Sequence, residues 1–577
     1  MTVHSQRLGT MRSTLRQRAL SLASTIPVGL MLIAALVAAL KALEVVVPPL
    51  RPLPAILPID PDASQRLTAL TVCIALLALG IGLARRKRAA WWLAISVLLP
   101  ALVVQLSMLR HPISASLAGL SLLVLFLDRR RYRVSSGRAS RRITTILSAT
   151  GLAIAGAALA LAAATGVGIV RPDSELGSLV NATVRWVALG DPTVALLGQG
   201  ALLAIIVLIA RVVVAAGFWR LLTPAESPDL DPGLQLHATA VAERFGHGAL
   251  RPFQLGNDKS YFTLPDAESA IAFARDGRLA VALGDPIGPP EAGRRVAEAF
   301  LRECARRDWV PCVYQASSAG LPLLTDLGLR PYLIGKEATV DLTSFDLTGG
   351  KRANLRHTVT RAQRGGVAAR WYPDGVGGEP ASLIEQLREL DRAWRGNRPE
   401  MGFTISRFDP IDLVRYPVSV AYDDQGNPLA FATFRATGEG GCVLDLIRRQ
   451  PGGVPGAMEL CLASAATELR AAGFTTLSLG LAPLAGLESG RGVVERLLAL
   501  GARAIRPAYD VRGLAFFKGK FAPTWEPRYL VVDKRASLPR VMMALLRLHL
   551  GGAKGLLKAA GAEIAPHRRT VAAHAGD

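Results

Sequence analysis

The sequence predicts a helical membrane region of about six spans, followed by an α/β (α+β) region built from two tandem copies of one unit. Three observations carry this. Half of the 577 residues are hydrophobic, and the apolar runs are concentrated before residue 220. The connections between those runs alternate between arginine-rich and arginine-poor. Beyond residue 233, a strand–loop–helix–strand pattern occurs twice, about 160 residues apart.

The apolar runs cover about 24–47, 67–84, 89–109, 112–127, 143–170 and 193–215, near the roughly 20 residues a span requires. Arg7, Arg12, Arg16 and Arg18 precede the first run. Arg85, Arg86, Lys87 and Arg88 fill the second connection, and seven arginines lie between Arg129 and Arg142. The other connections hold only Arg51, Arg66, Arg110, Arg171 and Arg185. By the positive-inside rule the N-terminus is cytoplasmic, and an even number of spans returns the C-terminal half to that side. The expected protein is a multi-pass protein of the plasma membrane, with residues 1–222 as its membrane region.

Cys73, Cys304, Cys312, Cys442 and Cys461 show no metal-ligand spacing, and the eight histidines form no H-x-x-x-H pair, so no metal centre is expected. The net charge of +22 exceeds the orientation signal. It predicts an anionic partner: nucleic acid, anionic lipid headgroups, or both.

Thr223 to Gly233 (TPAESPDLDPG) reads as a linker, with one domain at 234–370 and a second at 371–535. The first unit runs from the apolar strand Leu279–Leu283 through the loop Gly284-Asp285-Pro286-Ile287-Gly288. A helix, Glu291–Arg307, and a strand, Val310–Tyr314, complete it. Between the units lies a basic segment with Lys351, Arg352, Asn354, Arg356, His357, Arg361 and Arg364. In a helix Arg352 and Arg356 share a stripe that Asn354 leaves. This is a solvated face or a phosphate-binding one.

The second unit begins with Cys442–Ile447, broken by Asp445 and followed by Arg448 and Arg449. Met458, Cys461, Ala465, Leu469 and Ala472 then share a helical face. Gly473 is placed to end that helix, and Thr475–Leu479 reads as a buried strand. A strand end feeding a helix favours an anion. Asp445 adds a carboxylate for an ammonium, and the two arginines add cations for phosphates or a carbonyl oxygen. In a regular strand Asp445 and Arg448 would face opposite sides; a bulge or strand end near Ile447 would let them meet. The bland alternative is an ion pair at a strand terminus.

Acyltransferase folds of the GNAT type use this unit, with a loop before the helix that holds a cofactor pyrophosphate. Here Gln450-Pro-Gly-Gly453-Val-Pro455 ends in proline, which has no N–H for a phosphate. The fold is retained and coenzyme A is disfavoured. Glu400-Met-Gly-Phe403 precedes the second unit. Lys518, Lys520, Glu526 and Arg528 fall in a late block of cations and aromatics. Residues 536–577 open with an apolar, basic helix, Leu538–Ala560, suited to an anionic membrane surface or to packing on the spans.

Together these blocks resemble the aminoacyl-phosphatidylglycerol synthases, the family of the multiple peptide resistance factor. The matching elements are Gly284-Asp285-Pro286 with Gly288, Lys351–Arg356, Glu400–Phe403 and Asp445-Leu-Ile-Arg448-Arg449. Leu479-Gly-Leu-Ala482-Pro483-Leu484 and the block from Lys520 through Trp525 to Leu530 complete the set, in the family's order over about 235–535. The resemblance implies two tandem GNAT-like folds behind a membrane region. It implies transfer of an amino acid, lysine or alanine, from aminoacyl-tRNA to a glycerol hydroxyl of phosphatidylglycerol. That reaction would lower the negative charge of the membrane and favour resistance to cationic peptides. No cofactor is implied. Six spans are fewer than in larger members that also flip lipid, and no synthetase domain follows, so the tRNA would be charged elsewhere.

By resemblance and charge, Asp445 would hold the amino group and Arg448 would lie near the carbonyl. Lys520 and Arg528 would contact phosphate or oxyanion, and Glu526 or Glu400 would be the general base. Arg352, Asn354, Arg356, Arg449 and Lys518 would bind tRNA phosphates. A homo-oligomer is compatible with the sequence. Two other readings stay open: a coenzyme A-dependent acyltransferase, and a non-catalytic membrane receptor for anionic lipid or RNA.

Overall fold

The computed structural model describes residues 25–42, 66–108, 112–132, 134, 231–246, 248–348, 350–396, 400–485 and 511–564, with single positions at 142, 146, 150, 153, 213 and 216. They fall into two units, one of residues up to Glu226 together with Ala305–Trp309, the other of Ser227–Cys304 and Val310 onward.

In the N-terminal unit, α1 (Ile26–Ala42), α2 (Arg66–Ala84), α3 (Arg88–Met108) and α4 (Pro112–Leu127) coincide with the first four apolar runs. Met31, Leu83, Ala94 and Leu125 bury in a shared cluster. Among the described residues, no helix is long and apolar enough to cross a membrane. The described lengths of α1 and α4, 17 and 16 residues, rise about 24–26 Å against a hydrocarbon thickness of about 30 Å. The runs at 143–170 and 193–215 lie almost wholly outside the described residues.

The second unit opens with α5 (Pro232–Phe245), capped by the side chain of Asp231 on Gly233 N with Pro232 in the first turn. β1 (Ser260–Thr263), β2 (Ala270–Asp276), β3 (Leu279–Leu283), α6 (Pro290–Arg306), β4 (Val310–Ala316), α7 (Leu321–Asp326) and β5 (Arg330–Asp341) follow. Then come α8 (Ala353–Arg364), β6 (Ala368–Tyr372), α9 (Ala381–Arg395), α10 (Pro410–Arg415), β7 (Val418–Tyr422), β8 (Pro428–Gly438) and β9 (Gly441–Arg449). The remainder is α11 (Ala457–Ala471), β10 (Thr476–Pro483), α12 (Val511–Gly519), β11 (Thr524–Val532), α13 (Leu538–His549) and α14 (Ala553–Ile564).

Both predicted units form. β3 runs parallel to β4 and β9 parallel to β10, each pair joined by its helix, α6 or α11; every other strand pair among the described residues is antiparallel. Gly473, at φ 87°, follows α11 as expected. The units are not separate bodies, however. The eleven strands of the described residues make one sheet in the order β1-β2-β3-β4-β11-β5-β10-β9-β8-β7-β6. The last strand of the chain therefore sits between β4 and β5, and the expected boundary near residue 370 falls inside β6.

Two cores meet along β5 and β10, the seam between the halves of the sheet. Leu279, Val281, Leu530 and Leu545 share one cluster; Leu355, Phe434, Cys461 and Leu477 share another. α13 is part of the first: Val541, Ala544 and Leu545 are buried there. This corrects the expectation of a helix lying on a membrane, because the apolar face of α13 is spent on the sheet. Gly551 and Gly552, at φ 72° and 97°, separate it from α14.

Candidate active site

β9 and β10 pair only where Gly441–Val443 meet Thr476–Ser478. Beyond that point both strands are irregular. On β9, Ala432↔Ile447 and Phe434↔Leu444 leave Thr433 opposite two residues, Asp445 and Leu446, and Leu446 N donates to Thr433 Oγ1 at 3.1 Å. This is a β-bulge. It lets Leu444 and Ile447 serve one core while Leu446 serves another. On β10 the register against β5 shifts between Ser478 and Leu481, with Gly480 at φ 78°. Charged groups gather where the ladder ends: Asp445, Arg448 and Arg449 on β9, and Glu337 of β5 against Ser478 of β10.

On β9, Asp445 and Arg448 do not pair, which corrects the simplest sequence expectation. Arg435 donates from Nε to Asp445 Oδ2 at 2.8 Å and from Nη2 to Asp412 Oδ2 at 2.7 Å, with its guanidinium 4.0 Å from the ring centroid of Tyr416. Asp445 Oδ1 is buried with no hydrogen-bond partner. Burial raises the Asp412 carboxyl above its ordinary range, opposed by Arg435 and reinforced by Asp409 and Asp445. Arg448 Nε donates to Asp391 Oδ1 at 2.5 Å, and the guanidinium lies 4.3 Å from the Trp394 ring centroid. Burial lowers its pKa, while Asp391 and Glu400 favour its charged form.

Across the seam, Glu337 of β5 is buried. Its Oε1 accepts from Ser478 Oγ at 2.6 Å, and its Oε2 accepts from Arg528 Nε at 2.7 Å with Nη2 at 2.6 Å. Glu526 Oε2 is 3.6 Å from Arg528 Nη2 and largely exposed. Asp285, in the loop after β3, accepts from Ser317 N. Burial raises its carboxyl, opposed by the Ser317 hydrogen bonds and by Arg528. The loop itself needs its glycines. Gly284 has φ 66°, and a Cβ on Gly288 (φ 124°) would lie 2.3 Å from Glu268 O.

The expected phosphate binders divide. Arg352 is 6% exposed and donates to the carbonyls of Phe521 and Ser344 at 3.2 and 3.1 Å. It joins α8 to the chain before β11 and leaves no face for a phosphate. Arg356, half-buried, donates to Leu347 O. Lys518 is also buried, donating to Gly480 O and Leu481 O at 3.0 and 2.8 Å; burial pushes its ammonium down to about 7, against the pull of Glu337. It is therefore not a surface contact. Asn354, Arg449, Lys351, Arg361 and Arg364 are exposed. Lys520 pairs with Glu459 in the first turn of α11 at 2.7 Å.

Sequence reasoning missed Asp391, Arg435, Asp412, Glu337 and Ser478. One signal was available: Asp391 continues the buried stripe Leu383, Leu387 and Leu390 of α9, and an acid on such a stripe needs a partner.

A sheet of two α/β halves, each with a parallel pair bridged by a helix and a charged seam beside it, defines a tandem GNAT-like fold. A solved C-terminal domain of a candidate lysylphosphatidylglycerol synthetase from Agrobacterium fabrum is 28% identical, with a TM-score of 0.50 over 56% of this chain and 99% of that one. Residues 240–532 match the family described as phosphatidylglycerol lysyltransferase, C-terminal, and the chain belongs to that family. Phosphatidylglycerol lysyltransferase of Bacillus subtilis (strain 168) is 31% identical over 308 residues, which is 52% of this chain and 35% of that protein. The protein of the same name from Staphylococcus aureus (strain MRSA252) is 26% identical over 311 residues, 53% and 37% of the two chains. The matched stretch spans about a third of these relatives' length.

Proposed function

We propose that this protein transfers an amino acid, lysine or alanine, from aminoacyl-tRNA to a glycerol hydroxyl of phosphatidylglycerol. The observation that carries the reading is Asp445 Oδ1, a buried carboxylate oxygen without a partner, beside the seam of a fold whose family is named for lysyl transfer to this lipid. Such an oxygen is an acceptor for an α-ammonium group.

The chemistry is a transesterification. The lipid hydroxyl oxygen bonds to the aminoacyl carbonyl carbon, and the bond from that carbon to the tRNA ribose oxygen breaks. The hydroxyl proton passes to the departing oxygen, so one ester replaces another without ATP or a cofactor. Asp445 holds the ammonium, and Arg448 and Arg528 stabilise negative charge on oxygen. Two carboxylates are candidates to move the proton: Glu526, 3.6 Å from Arg528, and Glu400. The exposed cations Lys351, Arg361, Arg364 and Arg449 suit tRNA phosphates. In this reading the N-terminal helices anchor a multi-pass protein in the plasma membrane, with both termini in the cytoplasm where charged tRNA is found.

Mass spectrometry of lipids from cells with and without the protein tests the product, which should be an aminoacylated phosphatidylglycerol. Transfer in isolated membranes should require charged tRNA and stop on ribonuclease treatment. Transfer from acyl-coenzyme A, or binding without turnover, would overturn it.

A further inference from the structure

Arg528 is held on one edge and open on the other. Its Nε and Nη2 converge on a single oxygen, Oε2 of Glu337, while Oε1 of the same carboxylate is fixed by Ser478 Oγ. The Glu337 side chain is 4% exposed and that of Arg528 12%. Three adjacent strands thus meet in one contact: β5 brings Glu337, β10 Ser478 and β11 Arg528. Ser478 in turn accepts from Gly480 N at 3.1 Å, at the position where β10 changes register. Among the described residues Arg528 makes no other hydrogen bond or ion pair beyond Glu526 Oε2 at 3.6 Å, while Asp285 acts on it through space, and Nη1 carries no hydrogen bond there.

We propose that Glu337 is the positioning residue for Arg528, aiming its Nη1 edge at an anionic oxygen of the reacting substrates. The inference rests on the transfer reaction proposed above. A guanidinium on a flexible side chain samples many directions, and ordering it costs free energy at the moment of use. A carboxylate that binds two of its nitrogens removes most of that freedom beforehand. The burial of Glu337 strengthens the hold, because few waters compete for its oxygens. The unspent edge suits either a phosphate oxygen of lipid or tRNA, or the oxyanion formed at the aminoacyl carbon.

The test uses the full chain in membranes and begins with wild-type transfer from charged tRNA. Arg528→Ala should lose activity and regain about tenfold on adding guanidinium ion, while the double variant with Glu337→Gln should show no rescue. Glu337→Gln alone should lower kcat/KM by about 100-fold. Weakened packing alone would not make rescue depend on Glu337. Equal rescue in both backgrounds, or a Glu337→Gln variant with wild-type kcat/KM, would overturn the proposal. The clamp is also read without turnover, as the rate at which phenylglyoxal modifies Arg528, followed by peptide mass spectrometry. Glu337→Gln should raise that rate several-fold, and an unchanged rate would overturn the clamp even where no transfer is found. Wild-type membranes inactive with every charged tRNA would instead sink the transfer reaction. Protection by phosphatidylglycerol vesicles or by uncharged tRNA would tell which substrate supplies the oxygen.

Discussion

Arg448 and Asp391 form an ion pair across 57 residues of sequence, with both side chains almost wholly buried. Breaking such a pair leaves a buried guanidinium without its carboxylate. Asp391→Ala should therefore lower the unfolding free energy by about 3–5 kcal/mol, measured by denaturant titration of the detergent-solubilised protein. A loss under about 1 kcal/mol, the size of an exposed pair, would show that the Arg448 charge is satisfied elsewhere.

In the proposed reaction the unpartnered Asp445 Oδ1 accepts from the substrate ammonium group, an interaction worth roughly 1.5–3 kcal/mol. Asp445→Asn and N-acetylation of the aminoacyl-tRNA should each lower kcat/KM by about 10–100-fold, and combining them should add little. The four values form a cycle. Losses that simply add would move the ammonium site to Glu526 or Glu400.

Arg352 and the exposed cations of α8 should separate cleanly. Arg352→Ala removes hydrogen bonds to the carbonyls of Phe521, buried, and Ser344, and should lower stability by about 1–3 kcal/mol with little change in the salt dependence of tRNA binding. Changing Arg361 and Arg364 together should leave stability intact and reduce the slope of log K against log salt by about 0.7–0.9 for each phosphate no longer neutralised. The reverse pattern would restore Arg352 as a tRNA-binding residue.

Lys518 gives the fold a pH dependence of known sign. Burial brings its folded pKa to about 7, from 10.5 in the open chain. Between those values the unfolded chain binds the extra proton, so this residue makes stability rise with pH; below about 7 both states are protonated and the penalty is constant. Lys518→Met removes the slope. Denaturation midpoints at pH 7 and 9.5 should show wild type gaining on the variant, whereas parallel midpoints would mean that Lys518 titrates normally.

Local pattern revealed the two parallel units because each is a contiguous apolar strand, an amphipathic or buried helix and a second strand. It left open a bulge or a strand end near Ile447 as the condition for Asp445 and Arg448 to meet; the bulge is there, but the two do not pair. It did not reveal their partners. Arg435 reaches Asp445 from the neighbouring strand, and Asp391 reaches Arg448 from α9; cross-strand and helix–sheet neighbours leave no periodic trace in either segment. The basic run at 351–364 read as one surface, yet Arg352 precedes the helix and turns inward to the carbonyls of Ser344 and Phe521. Glu337 was invisible for a related reason: its partner Arg528 lies 191 residues away.

That separation governs how the molecule is made. β4 and β5 leave the ribosome long before β11, the strand that joins them. At roughly 5–20 residues per second, both wait many seconds with their facing edges unpaired, a state that invites aggregation. Closure of the sheet and delivery of Arg528 to Glu337 are then a single event near the end of synthesis. A nascent chain that stalls before Thr524 has neither a finished sheet nor an anion site. The strand that completes the sheet and the guanidinium that meets Glu337 thus arrive on the same nine residues, Thr524–Val532.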